Sequence, residues 1–269
     1  DDLRRFFDFM ESEGVDCTVE NVTTSLVRGW VVSMHRRGLS KGTVARRLYG
    51  LRSFWTYLHD CGHTDGDPVR QVSVPKYERK LPKYLPAEDL EKLLEASQQS
   101  PSVMCAFRNY AMMSVLIFTG MRRSELIGLK LSDVSLRDST VRIRGKDDRE
   151  RVVPLVDRAV DAVRDWLEFR PEDCEHEYLF TTTHGNRIYP SRMQRIWRSI
   201  LERTDVKDEG ISLHTLRHSM ATLLLQSGEA SLPEIQRILG HARLDTTAIY
   251  LHVTDGGLRG AVRAPPLAE

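Results

Sequence analysis

The chain has 269 residues, 39 lysines and arginines against 38 aspartates and glutamates, and a formal net charge of +1. That length accommodates two domains, and a hydrophobic content of 41% is ordinary for a globular protein. The composition excludes a membrane-spanning segment, which needs about 20 consecutive apolar residues, and a uniformly basic surface, so any polyanion has to be met by local patches.

Taken in chain order, Leu3, Phe6, Phe7 and Met10 recur at helical spacing and predict a helix over Leu3–Glu13. A second helix is expected from Val22 to Arg37, stopping at Gly38. Ser40 is a candidate N-cap for a third, running to about His59 with Val44, Leu48, Leu51, Trp55 and Leu58 on its buried face. Asp60–Asp67 reads as a turn region ahead of Pro68. Pro75, Pro82 and Pro86 punctuate a basic, extended strip. It is the expected linker, 75–86, between a helical domain at 1–74 and a larger one at 87–269. There Ala106–Phe118 reads as a buried helix, broken by Thr119-Gly120 before Arg122 opens the next. Val134–Leu155 predicts a small antiparallel sheet with Lys146 near the tip of a polar turn. Helices follow at Ala159–Phe169, Ser191–Arg203, Leu216–Gln226 and Pro233–Leu239, with a short one at Thr246–Leu251 carrying Tyr250. The expected fold class is mainly α with a small antiparallel β-sheet (α+β).

Cys17, Cys61, Cys105 and Cys174 are dispersed and form no Cys-x-x-Cys pair. This is the pattern of reduced thiols in a cytoplasmic protein, and it predicts no zinc site. His214 and His218 have the i, i+4 spacing of a helical metal site, but the neighbouring Arg217 would repel a cation, so no metal is expected. No signal peptide is expected either. Positive charge gathers locally at Arg36, Arg37, Lys41, Arg46, Arg47 and Arg52. It gathers again among Arg187, Arg192, Arg195, Arg198 and Arg203, and around the hairpin at Arg142, Arg144, Lys146, Arg149 and Arg151. Solvated helix faces would account for some of these residues.

The residues that carry chemistry lie in the second half. Arg122 in Thr119-Gly120-Met121-Arg122-Arg123-Ser124-Glu125-Leu126 and Arg217 in His214-Thr215-Leu216-Arg217-His218 are candidate phosphate ligands. A guanidinium donates paired hydrogen bonds and keeps its proton. Tyr250 is a candidate nucleophile, with a phenol that ionises near pH 10 and needs a base or a positive field to react at neutrality. His214 is the candidate base, His241 a candidate donor to phosphate and Lys146 a candidate general acid. Glu125, three residues after Arg122, is expected to orient it. Singly, each of these reads as an ordinary surface or structural side chain.

Together, the four segments resemble the tyrosine recombinase, or phage integrase, family, in its Xer-like branch. Thr-Gly-Met-Arg-Arg-Ser-Glu is similar to the family's first arginine box and Gly-Lys-Asp-Asp-Arg-Glu-Arg-Val-Val-Pro-Leu to its β-hairpin. His-Thr-Leu-Arg-His-Ser-Met-Ala-Thr resembles the second box, and Leu-Gly-His followed by Thr-Thr-Ala-Ile-Tyr-Leu-His-Val the end of the site. The resemblance implies Arg122, Lys146, His214, Arg217, His241 and Tyr250 as the catalytic set. It also implies a two-domain clamp on double-stranded DNA with an inverted-repeat core site.

The implied reaction is site-specific strand exchange through a 3′-phosphotyrosyl intermediate and a Holliday junction, without metal, ATP or other cofactor. A tetramer on two DNA sites would perform it, with accessory proteins as further partners, in the cytoplasm at the nucleoid. Ser40, Lys41, Thr43, Arg46, Arg47 and Arg52 would meet DNA from the third helix. A first helix of the small domain is expected to be missing, and the tail after Val253 is expected to dock in trans on a neighbouring protomer. A type IB topoisomerase or a catalytically silent DNA-binding relative are the alternatives. The resemblance leaves open whether the reaction serves integration and excision of a mobile element or Xer-type resolution.

Overall fold

The computed structural model describes residues 2–77, 83–100, 102–145, 150–207 and 210–240. The chain divides into two compact units, Asp1–Lys80 and Leu81–Glu269. Among the described residues no helix is long and apolar enough to cross a membrane.

Three helices build the first unit: α1 (Asp2–Ser12), α2 (Thr24–Arg36) and α3 (Lys41–Asp60). Thr23 caps α2 through its side chain, which accepts from the Leu26 N–H. Ser40 does the same for α3, accepting from the Thr43 N–H at 3.2 Å. Such caps satisfy amide donors that have no partner within the helix. The apolar faces meet in one core of Phe6, Met10, Val27, Trp30, Met34, Val44, Leu48, Leu51 and Trp55. Phe6 and Trp30 pack edge to face with ring centroids 5.0 Å apart. Leu58, expected on the buried face of α3, packs against this core partly exposed. The turn after α3 closes onto the same core, because the Trp55 indole donates to the Gly66 carbonyl at 2.9 Å.

The second unit is organised around α5 (Val103–Thr119). Ala111, Met112, Met113, Val115, Leu116 and Ile117 are all buried, so apolar residues surround this helix on every side rather than forming a stripe. Packed against it are α4 (Ala87–Gln98), α7 (Asp157–Phe169) and α9 (Leu213–Ser227). Gly120 ends α5 in the left-handed region, at φ 60°. Then come α6 (Arg123–Gly128), a single 3₁₀ turn at Leu131–Asp133, and an antiparallel sheet in the order β1 (Val134–Ser135), β2 (Thr140–Arg144), β3 (Glu150–Pro154). β2 and β3 pair in a register that sets Val141 opposite Val153 and Ile143 opposite Arg151. Val141, Ile143 and Val153 face the core while Val152 stays exposed, the alternation of a one-sided sheet. The two remaining helices are α8 (Pro190–Leu201) and α10 (Leu232–Leu239).

The fold is therefore mainly helical with one small antiparallel sheet, as the periodicity predicts. Helix ends differ from expectation by up to three residues. The largest shifts are at the starts of α5 and α9, each three residues earlier than expected. The expected tip of the hairpin at Lys146, the helix at Thr246–Leu251 and the tail after Val253 lie outside the described residues.

Candidate active site

The site forms where the end of α5, the start of α6, the first turns of α9 and the end of α10 come together. Arg217 is its anchor. It projects from α9 and is 1% exposed. One terminal nitrogen donates to the Gly120 carbonyl at 2.7 Å, and the other to the Leu239 carbonyl, also at 2.7 Å. One guanidinium thus ties the α5–α6 turn to the end of α10, which fixes its plane before any ligand arrives.

The turn that meets Arg217 depends on Gly120. A Cβ built there would lie 2.8 Å from Leu239 Cδ2 and 3.1 Å from Met220 Cε. Those side-chain ends can yield, but the left-handed backbone cannot be relieved in the same way. Gly120→Ala is expected to destabilise the second unit by about 1–3 kcal/mol, read as a fall in melting temperature. An unchanged melting temperature would show that the turn tolerates a side chain.

Two residues after Gly120, Arg122 occupies the N-cap position of α6. Glu125 holds it twice. Its Oε2 accepts from the Arg122 backbone N–H at 2.7 Å, and its Oε1 from the Arg122 guanidinium at 2.9 Å. The Arg122 side chain is 40% exposed while that of Glu125 is 5% exposed, so the carboxylate is a floor from which the arginine reaches outward. Burial alone would raise the Glu125 pKa. Hydrogen bonds from Arg151 and Arg122, with the attraction of Arg151, outweigh it and hold the carboxyl below its ordinary value.

Arg151 is the member that motif reasoning missed. The sequence places it in the basic cluster around the hairpin, whereas its side chain is only 10% exposed and turned inward. It donates to both Glu125 oxygens, at 3.0 Å and 2.8 Å, and through Nε to the Ile238 carbonyl at 2.8 Å. A signal existed: strand alternation sets Arg151 on the same face as Val153, the core face.

His214 lies in the first turn of α9. Desolvation of its ring, then the positive fields of Arg217 and Arg122, lower its pKa from the ordinary histidine value. Both arginines are therefore within electrostatic reach of this imidazole, and both disfavour its charged form. His218, one turn further on, packs edge-on against His214 with centroids 4.6 Å apart. Desolvation, then His214 and Arg217, push its pKa down to about 4.

This predicts a pH dependence of stability with a definite sign. An unfolded His218 takes up a proton near pH 6.5, whereas the folded one refuses it until about 4. Between these values the unfolded chain binds more protons, so stability falls as pH drops through that window and levels above it. His218→Asn should flatten the melting temperature against pH between those limits; an unaltered slope would assign the effect to other groups.

Lys146, His241 and Tyr250, the three other candidates, lie outside the described residues. Four of the expected members, Arg122, Glu125, His214 and Arg217, are brought into one neighbourhood. Among the described residues no group of three or more His, Cys, Asp or Glu side chains is arranged to hold a metal ion.

In the first unit, Ser40 and Lys41 are exposed at the start of α3, and the Thr43 hydroxyl bonds that of Ser40 at 2.9 Å. Arg46 is exposed and paired with Asp2. Arg47 and Arg52 are placed differently from the expectation of DNA contact. Arg47 is 9% exposed because it falls on the core side of α3 beside Val44 and Leu48. Arg52 donates to the Val72 carbonyl at 2.6 Å and the Arg70 carbonyl at 3.3 Å, which satisfies loop carbonyls behind the helix.

A mainly helical second unit in which two arginines act on one imidazole contains an electropositive site of the kind that suits an anion. The chain belongs to the phage integrase family of tyrosine recombinases, enzymes that cleave and rejoin DNA strands: the model "Phage integrase family" matches residues 83–256 and "Phage integrase, N-terminal SAM-like domain" matches residues 1–62. Its relatives are of the Xer type. It is 37% identical to the tyrosine recombinase XerC of Thermodesulfovibrio yellowstonii over 94% of this chain and 83% of that protein. It is 34% identical to XerD of Listeria innocua over 94% of this chain and 86% of that one. In structure it is similar to a XerH site-specific recombinase in a post-cleavage complex with a palindromic difH substrate. The TM-score is 0.79 and the identity 27%, over 98% of this chain and 77% of that one. These matches favour site-specific recombination over a type IB topoisomerase or a silent DNA-binding relative.

Proposed function

We propose that Arg122 and Arg217 hold the scissile phosphate of a double-stranded DNA site while the Tyr250 phenol attacks phosphorus. The bond from phosphorus to the 5′ oxygen breaks and a bond to the tyrosine oxygen forms, leaving a 3′-phosphotyrosyl linkage and a free 5′ hydroxyl. His214 accepts the phenolic proton, Lys146 protonates the departing 5′ oxygen and His241 donates to a non-bridging oxygen. A 5′ hydroxyl from the partner strand then attacks the phosphotyrosine and restores the phosphodiester. The linkage conserves the bond energy, so the cycle consumes no ATP. Charge that builds on the equatorial oxygens is met by donors already in place, which is where most of the catalytic power of such a site resides.

The observation that carries this reading is the Arg217 guanidinium, buried to 1% exposure and tied to the Gly120 carbonyl two residues before Arg122. An arginine whose plane is set by two carbonyls is oriented before an anion arrives, so little reorganisation is needed at the moment of reaction. The Xer-type relatives support strand exchange at an inverted-repeat core site, with a tetramer spanning two sites and a Holliday junction between the paired exchanges. They equally support residence in the cytoplasm with the chromosome. A domain at 1–74, a linker at 75–86 and a catalytic domain at 87–269 remain the proposed limits. In the first domain Ser40, Lys41, Thr43 and Arg46 are the proposed phosphate contacts. The tail after Val253 is the proposed docking arm.

A suicide substrate, nicked beside the cleavage position so that the 5′ fragment diffuses away, tests the chemistry. It should trap the protein covalently, with the adduct on Tyr250 by peptide mass. An adduct on another residue, or none from protein that binds the site, would remove the assignment.

A further inference from the structure

We propose that Arg151 is a positioning residue for DNA cleavage, a buried strut that locks Arg122 through Glu125 and ties that pair to the end of α10. This deepens the proposed function and rests on Arg122 being a phosphate ligand. Arg151 touches no solvent-facing phosphate path of its own: its side chain is 10% exposed and lies across from Ile143 on the inner face of the sheet.

The geometry is a shared carboxylate. Each Glu125 oxygen accepts one hydrogen bond from Arg151 and one from Arg122. Oε1 receives Arg151 at 3.0 Å and the Arg122 guanidinium at 2.9 Å. Oε2 receives Arg151 at 2.8 Å and the Arg122 backbone at 2.7 Å. The fork of Arg151 fixes the plane of the carboxylate, and that plane sets the direction in which Arg122 leaves it. Arg151 also divides the negative charge of Glu125, so Arg122 is not fully neutralised by its own partner.

The third contact extends the strut. Nε of Arg151 holds the Ile238 carbonyl, and Arg217 holds the next one, that of Leu239. Two guanidiniums thus grip consecutive carbonyls at the end of α10. Gly240 closes the helix with φ 65°, and a Cβ there would lie 3.0 Å from the Arg151 guanidinium, so the backbone passes against the strut. The next residue in the chain is His241, and Tyr250 follows. Arg151 therefore joins a phosphate-binding arginine to the root of the segment that carries the remaining candidates. Lysine at this position would keep the charge but lose the fork, and a displacement of about 1 Å at a reacting centre costs about 100-fold in rate.

The test measures strand cleavage by the full chain on two suicide substrates, one with the native phosphate and one with a methylphosphonate at the cleavage position. The methylphosphonate lacks the negative charge that the arginines serve. Arg151→Lys is expected to keep DNA affinity within about threefold and to cleave the native substrate about 10- to 100-fold more slowly. Its defect should shrink to under about threefold on the methylphosphonate, where the arginines have less charge to stabilise. Equal loss on both substrates, or no loss on either, would overturn the proposal.

Glu125→Gln provides an arm that does not depend on how Arg151→Lys folds. It should show the same selective loss, and the double variant should cleave no more slowly than the worse single one, since both act through one linkage. Multiplying effects would overturn the coupling. If Arg122→Ala cleaves the native phosphate as fast as the unaltered protein, the phosphate assignment itself has failed and the strut falls with it.

Discussion

Tyr250→Phe is expected to eliminate covalent trapping on the nicked substrate while leaving affinity for the DNA site within about threefold. The change deletes one oxygen and keeps the ring, so whatever apolar contact the side chain makes survives. What disappears is the atom proposed to bond to phosphorus. Removing the nucleophile from a site that works by covalent transfer costs on the order of 10⁴-fold or more, because no later step can proceed without the intermediate. Water is a poor substitute, since the product would be a hydrolysed strand and the energy stored in the linkage would be lost. The informative comparison is adduct yield against fraction bound in the same samples. Adduct formed by the Phe variant would place the nucleophile elsewhere.

Arg122→Ala and Arg217→Ala should both slow cleavage by about 10³-fold, yet only the second should weaken the fold. On the proposed mechanism each removes a donor from the charge that develops on the equatorial oxygens, and single donors of this kind are worth about 10²–10³-fold, with charged fingers reaching higher. Their structural circumstances differ. Arg122 reaches outward with its side chain 40% exposed, and Glu125 keeps Arg151 as a partner when it is gone. Arg217 is 1% exposed and satisfies the Gly120 and Leu239 carbonyls. Its removal strands two buried acceptors at about 1–3 kcal/mol each and opens a cavity between α5, α9 and α10. Melting of the two variants beside their cleavage rates separates the cases. A stable Arg217→Ala protein would mean that the two carbonyls find other donors, and the picture of a preset guanidinium would fail.

The two units together show what a linear reading reaches and where it stops. The α5 helix was legible because a run such as Ala111-Met112-Met113 through Val115-Leu116-Ile117 has no polar face to offer solvent. Ser40 was legible as a cap because a hydroxyl ahead of Lys41 sits where an orphan amide needs an acceptor. Glu125 was legible as a partner of Arg122 from the three-residue offset alone. At Arg47 the reading stops: its neighbours Arg46 and Arg52 suggest one basic face, whereas the 100° step between residues sets Arg47 with Val44 and Leu48 toward the core.

By itself the sequence determined the helices other than α4, the sheet, the order of the boxes and the residue types able to bind a phosphate, because these follow from periodicity, capping and side-chain chemistry over a few neighbouring positions. Only the tertiary structure decided which arginines reach outward and which are buried to hold the frame. Arg151 and Arg217 act on carbonyls and a carboxylate that are distant along the chain, from Gly120 to Leu239, and no local pattern encodes which of many arginines will be buried against them. The physical reason is that a buried guanidinium is tolerated only where folding delivers several acceptors to it at once, and that meeting of segments is a property of the packed chain.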